Sequence, residues 1–163
     1  MEKRHKALIP LSHHHHHGLV IAHKLLEVEE KEGRWSKEQV WQDAKAFWEN
    51  GGDAHFHEEE SILYPTFSQY YSIENVPEIS EGLLEHVKIR GMFSQLIHKE
   101  KEDIAFMHEL GNLLKTHIQT EERIIFPLIQ EKVPEKALMK ISSHFSAHDE
   151  FLKTEGNNGS RLV

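Results

Sequence analysis

His55-Phe56-His57-Glu58-Glu59-Glu60-Ser61-Ile62-Leu63-Tyr64-Pro65 and His117-Ile118-Gln119-Thr120-Glu121-Glu122-Arg123-Ile124-Ile125-Phe126-Pro127 are two copies of one phrase, H-x-x-x-E-E-x-I-[LI]-[YF]-P. On a helix, residues i and i+4 share a face, so each copy points one imidazole and one carboxylate in the same direction, with Cβ atoms about 5–6 Å apart. Two such faces turned toward each other would make a metal site. Carboxylates inside an apolar bundle are tolerated when a cation pairs them, so the repeat bears on function more than on stability.

Outward from the repeat, apolar residues recur at i, i+3, i+4 and i+7, and no stretch alternates as a strand would. Ser12 is a candidate N-cap for helix A, from His13 to about Lys31. Ser36 can cap helix B, which carries the first copy; Gly51 and Gly52 weaken it, and Pro65 should bend or end it. Tyr70 to Pro77 reads as a connection. Helix C runs from about Glu78 to Lys99, helix D, with the second copy, from about Lys101 to Gln130, and a shorter helix E from about Glu135 to Thr154. The chain is therefore expected to be all-α: an up-down-up-down four-helix bundle with a short additional C-terminal helix. One domain is expected over residues 1–155, with a flexible tail over 156–163.

The length of 163 residues suits a single domain with a real core. A formal net charge of -8, from 27 acidic and 19 basic residues, argues against nucleic-acid partners and anionic membranes. No cysteine is present, which removes disulfides, thiolate sites and iron-sulfur clusters. Any metal must be held by N and O ligands. No apolar run approaches a membrane span and no signal-peptide pattern opens the chain, so a cytoplasmic protein with small partners is the default expectation. Fifteen histidines stand out, among them the run His13 to His17. That run resembles a purification tag, but it lies inside the chain and leads directly into the apolar pattern from Gly18 to Leu26, so it is read as native.

The two copies supply His55 with Glu59 and His117 with Glu121. On helix C the candidate is His86, which shares a stripe with Leu83, Ile89 and Phe93, whereas His98 shares its face with Ser94 and Glu102. On helix A, His15 heads the core-facing stripe Gly18, Leu19, Ala22, Leu25 and Leu26, and His16 is the reserve, because helix rotation is not fixed by sequence. Four imidazoles and two carboxylates at mid-bundle fit two irons that share both carboxylates, with positions left open for an oxo or hydroxo bridge and an exogenous ligand. Zinc or manganese substitution is possible. Glu60 and Glu122 are candidates to orient ligating imidazoles. Two other metal classes are disfavoured: Glu-x-x-His occurs only from Glu2 to His5, and His-Glu-x-x-His is absent.

The doubled H-x-x-x-E-E-x-x-x-x-P, the early Leu-Ser-His-His-His-His-His and the lone His86 resemble the hemerythrin-like, HHE cation-binding family over about Leu11 to Leu128. The resemblance implies a four-helix bundle with a non-haem di-iron centre that binds O2 or NO, or senses oxygen, iron or redox state. The metal ligands it implies are His15, His55, Glu59, His86, His117 and Glu121. Alternative roles are a di-iron enzyme reducing peroxide or oxygen, and an iron-donating repair protein. Oxygen-carrying members place a further histidine one turn after the helix C ligand; here that residue is Arg90. This departure moves the expectation from oxygen transport toward sensing or iron-linked reactivity. Arg90 itself either faces solvent or reaches the open edge of the site. His144 and His148 form an additional i, i+4 pair on helix E.

Overall fold

The computed structural model describes residues 3–29 and 34–145. Among these the structure is helical throughout, with no strand. Four rods form the bundle, and each packs on two neighbours. The first is α1 (Ile9–Glu27), entered through a 3₁₀ turn at Lys6–Leu8. The second is composite: α2 (Lys37–Phe47), α3 (Asp53–Glu58) and α4 (Tyr64–Ser68), joined by π-turns at Trp48–Gly52 and Glu59–Leu63. The third is α5 (Pro77–Ile97), and the fourth is α6 (Ile104–Thr120) continued through a π-turn at Glu121–Ile125 into α7 (Phe126–Lys132). A further helix, α8, covers 135–145. The expected all-α bundle is thus what the chain forms. The expected tail at 156–163, the end of helix E and His148 lie outside the described residues.

Local chemistry moves several boundaries. Helix A does not begin at Ser12. Pro10 lies in the first turn of α1, where its fixed φ suits a helix start and its missing N–H costs nothing. His5 caps the preceding 3₁₀ turn by accepting from the Ala7 N–H at 3.1 Å. Ser36 caps α2 as expected, accepting from Gln39 N–H, and Asp103 caps α6 by accepting from Phe106 N–H at 3.0 Å.

Pro65 and Pro127 do not end their helices. Each cannot donate and would crowd the carbonyl four residues back, and the backbone answers by widening. Tyr64 N–H bonds to the carbonyl of Glu59, and Phe126 N–H to that of Glu121, five residues apart. Both rods therefore carry buried residues at a strict spacing of four: His55, Glu59, Leu63, Phe67 in one and His117, Glu121, Ile125, Ile129 in the other. A regular α-helix would let such a stripe drift by about 40° per step, about 120° over twelve residues. The one π-turn within each stripe, at Glu59–Leu63 and at Glu121–Ile125, removes most of that drift.

α1 and α6 run antiparallel and approach closely at two glycines. A Cβ on Gly111 would lie 2.9 Å from the Ala22 carbonyl oxygen, and one on Gly18 would meet the end of Ile118 at 2.6 Å. The apolar core is split in two. One cluster gathers Leu8, Leu11, Leu63, Phe67, Ile79 and Phe126, the other Leu25, Val40, Phe93, Leu96, Met107 and Leu110. Close to the change from one cluster to the other in every rod's sequence lie six buried polar residues: His15 in α1, His55 and Glu59, His86, and His117 and Glu121.

Candidate metal centre

Each rod places its polar residues by periodicity alone. His15 lies between Leu11 and Gly18 on the buried face of α1, and His86 lies between Gly82 and Ile89 on that of α5. His16 is exposed, so the rotation of α1 decides between the two candidates in favour of His15. All six sequence-predicted residues come together, none more than 4 % exposed.

They form two groups of four, each with ligand atoms within 4.8 Å of one another: His15, His55, Glu59 and Glu121, and Glu59, His86, His117 and Glu121. Both carboxylates belong to both groups. On one side, His55 Nε2 is 3.0 Å from Glu59 Oε1 and His15 Nε2 is 3.0 Å from Glu121 Oε2. On the other, His86 Nε2 is 3.3 Å from Glu59 Oε2 and His117 Nε2 is 3.4 Å from Glu121 Oε1. The two imidazole nitrogens His86 Nε2 and His117 Nε2 are 3.1 Å apart.

Three of the four outward nitrogens are anchored, that of His55 being the exception. His15 Nδ1 is 2.6 Å from Glu122 Oε1, His86 Nδ1 is 2.8 Å from Glu60 Oε1, and His117 Nδ1 is 2.7 Å from Glu85 Oε2. A carboxylate on Nδ1–H fixes the tautomer that leaves Nε2 free to ligate. The second glutamate of each repeat therefore orients an imidazole from a different rod. Two of these carboxylates are gripped in turn: Arg4 donates to Glu122 Oε2 at 2.8 Å, and Arg90 makes a forked pair with Glu60 at 2.7 and 3.2 Å. Arg90 also donates to Asp53 at 2.8 Å and lies over the Phe56 ring, so it is committed to the outer edge of the site.

Several inward atoms are buried without a hydrogen bond: His15 Nε2, His55 Nε2, both oxygens of Glu59, and Glu121 Oε2. Their contacts are close enough for ion pairs but not aligned as hydrogen bonds. Buried polar atoms seldom go unpaired, and these converge, which is the arrangement of ligand atoms around a cation. In the metal-free cluster protons stand in for that cation. Burial and the Glu59 charge press Glu121 upward, yet His117, His15 and His86 hold it at about 2. Burial also opposes charge on His86, but Glu121 and Glu59 lift it to about 10, and His15 likewise lies well above the ordinary imidazole range despite its burial. Two carboxylates surrounded by four nitrogens and, among the described residues, by no lysine or arginine fit divalent metal.

Residues 7–129 match the hemerythrin HHE cation-binding domain. The chain belongs to this family. It is also similar to an uncharacterized hemerythrin-like protein of Schizosaccharomyces pombe, 24% identical over 127 residues, a match covering 76% of this chain and 58% of that protein. The chain thus spans less than two thirds of that relative's length. No solved structure matches. Among the described residues no helix is long and apolar enough to cross a membrane.

Three residues of this hemerythrin-like site escaped the sequence. Tyr64, buried, donates its hydroxyl to Glu121 Oε1 at 2.6 Å. Its repeat equivalent Phe126 has no hydroxyl and stacks on His15 with ring centroids 5.0 Å apart. That single mismatch between the copies was the available signal. Glu85 and Arg4 carried none, because their partners lie on other rods.

Proposed function

We propose that the protein would hold two iron ions, with His15 and His55 as ligands for one, His86 and His117 for the other, and Glu59 and Glu121 available to both, and that it binds or senses O2 or NO. The observation that carries this reading is the pair of four-residue groups sharing both carboxylates. A reduced di-iron centre offers a diatomic ligand electrons and an open coordination position. The chain supplies the rest. Glu122, Glu60 and Glu85 orient imidazoles, the Tyr64 hydroxyl directs one carboxylate oxygen, and two apolar clusters exclude water above and below.

The size of the ligand is supported by a cavity of about 10 Å³ beside His15 and His55, walled by Phe47 and Trp48 and bordered by Gly18 and Gly52. Such a space suits one very small molecule. A Cβ on Gly52 would come within 2.8 Å of Trp48 Cε3, so the glycine keeps this wall closely packed. The test is anaerobic reconstitution with Fe²⁺ followed by O2 or NO. Ligand-dependent visible absorption at two irons per chain is expected; loaded protein with no spectral response overturns the reading.

A second reading, turnover of peroxide or oxygen, is favoured by one residue. Glu58, half-buried next to Glu59, is pushed up to about 7 by burial and by the Glu59 charge, which suits a proton donor near neutrality. Repeated turnover with an electron donor, slowed in Glu58→Gln, is the expected outcome for an enzyme. A strictly stoichiometric reaction rules it out.

A further inference from the structure

The histidine run supplies more imidazoles than the centre uses. His13 and His17 are both exposed, one turn apart on α1, with ring centroids 6.0 Å apart. At this i, i+4 spacing two imidazoles can share one transition-metal ion. His14 is three residues from His17 on the same side of the helix, but it is buried, only 8 % exposed. Its ring stacks on that of His55, with centroids 5.2 Å apart and planes 19° apart. His14, His15 and His55 also line the same small cavity. Imidazoles therefore follow one another from solvent, at His13 and His17, through His14, to His55 at the centre.

The other half of the centre is covered slightly more fully, with His86 and His117 0 % and 1 % exposed against 3 % and 4 % for His15 and His55. Phe56 stacks on His86 with centroids 3.8 Å apart, and Glu60 with Arg90 covers its Nδ1 edge. A hydrated cation cannot enter such a buried site in one step, because it must exchange water for protein ligands gradually. Two exposed imidazoles bind a divalent ion weakly enough to release it, whereas the four-ligand group beyond them binds it more fully.

We propose that His13 and His17 form a surface station that captures a divalent transition-metal ion, and that His14 passes it into the His15–His55 half of the centre. This rests on the proposal that the six inner residues hold metal. Only ligand exchange is involved: the ion keeps its charge, each imidazole nitrogen donates a lone pair in place of a water, and the water is released to solvent.

Metal-free protein, purified without an immobilised-metal column, is mixed with Co²⁺, whose visible absorption reports coordination, and both stoichiometry and loading rate are followed. Wild type should take two ions tightly and a third weakly. The double variant His13→Gln, His17→Gln should keep the two tight ions, lose the weak one, and load about ten-fold more slowly at limiting metal. These positions are exposed and glutamine favours helix, so the variant should fold. His14→Leu should keep the third ion and slow the filling of the centre. His23→Gln, at an exposed histidine paired with Glu27 on the same helix, should change neither. Wild-type loading in the double variant, or equal slowing by His23→Gln, overturns the surface station; wild-type loading in His14→Leu removes His14 from the route. If wild type itself fails to take two ions, the di-iron reading falls and this inference with it, an outcome distinct from normal stoichiometry with unchanged rates.

Discussion

The Tyr64 hydroxyl donates to Glu121 Oε1 at 2.6 Å, so a residue from one copy of the repeat aims the carboxylate of the other. The bond is fully buried, and burial together with the charges of Glu121 and Glu59 keeps the phenol protonated by raising its pKa well above the ordinary value. Tyr64→Phe copies the residue at Phe126 and preserves shape. Loss of an orienting hydrogen bond of this kind lowers metal affinity by about 10–100-fold. Competition with a chromophoric chelator measures it; affinity equal to wild type refutes an orienting role.

Metal should stabilise the fold, and only through the shared carboxylates. At about a thousand times its dissociation constant a bound ion adds roughly 4 kcal/mol, which for a chain of this size raises the melting temperature by on the order of 10 °C. EDTA treatment should abolish this gain in wild type. In Glu59→Ala with Glu121→Ala, metal should leave the melting temperature within error of the EDTA-treated sample. A preserved metal-dependent shift would place the binding site elsewhere.

The metal-free protein should have a bounded range of greatest stability. His86 is raised from 6.5 to about 10, so its contribution is complete below pH 6.5 and is lost as pH rises through about 10. Glu121 is lowered from 4.5 to about 2, so its contribution is complete above pH 4.5 and is lost as pH falls through about 2. Urea midpoints of the metal-free form should therefore peak between pH 4.5 and 6.5 and decline on both sides. Metal affinity should instead climb with pH, because ligation displaces imidazole protons. Calorimetry in buffers of different ionisation enthalpy should register that proton release.

Gly18→Ala tests the cavity. The added methyl points at the flexible end of Ile118, which can shift, and narrows the space beside His15 and His55. Two irons should still load, while NO affinity drops about ten-fold, the usual scale for one methyl in a fitted apolar pocket. Unchanged NO binding would show that the ligand sits elsewhere.

How much of this was legible in the sequence depended on whether a feature is carried within one helix or between helices. The apolar period fixes the bundle, and the i, i+4 spacing puts His55 beside Glu59 and His117 beside Glu121. The choice of His15 over His16 needed the rotation of α1, which is set by packing against α6 at Gly18 and Gly111. Pro65 read as a bend or an end while helix D was expected to run on past Pro127, because a missing donor says nothing about whether the backbone will stop or widen. Tyr64, Glu85 and Arg4 act across the bundle on residues at least 32 positions away, beyond the reach of any local pattern.

The π-turns at Glu59–Leu63 and Glu121–Ile125 also limit how the repeat can be transplanted. Copied onto an idealised bundle of regular α-helices, it would set its His and Glu correctly and then rotate every later residue by about 100°, the angle of one residue. Leu63, Phe67, Ile125 and Ile129 would swing off the core. A working graft would have to carry each proline and one extra residue per helix, so the portable unit of this centre extends a full turn beyond its last ligand.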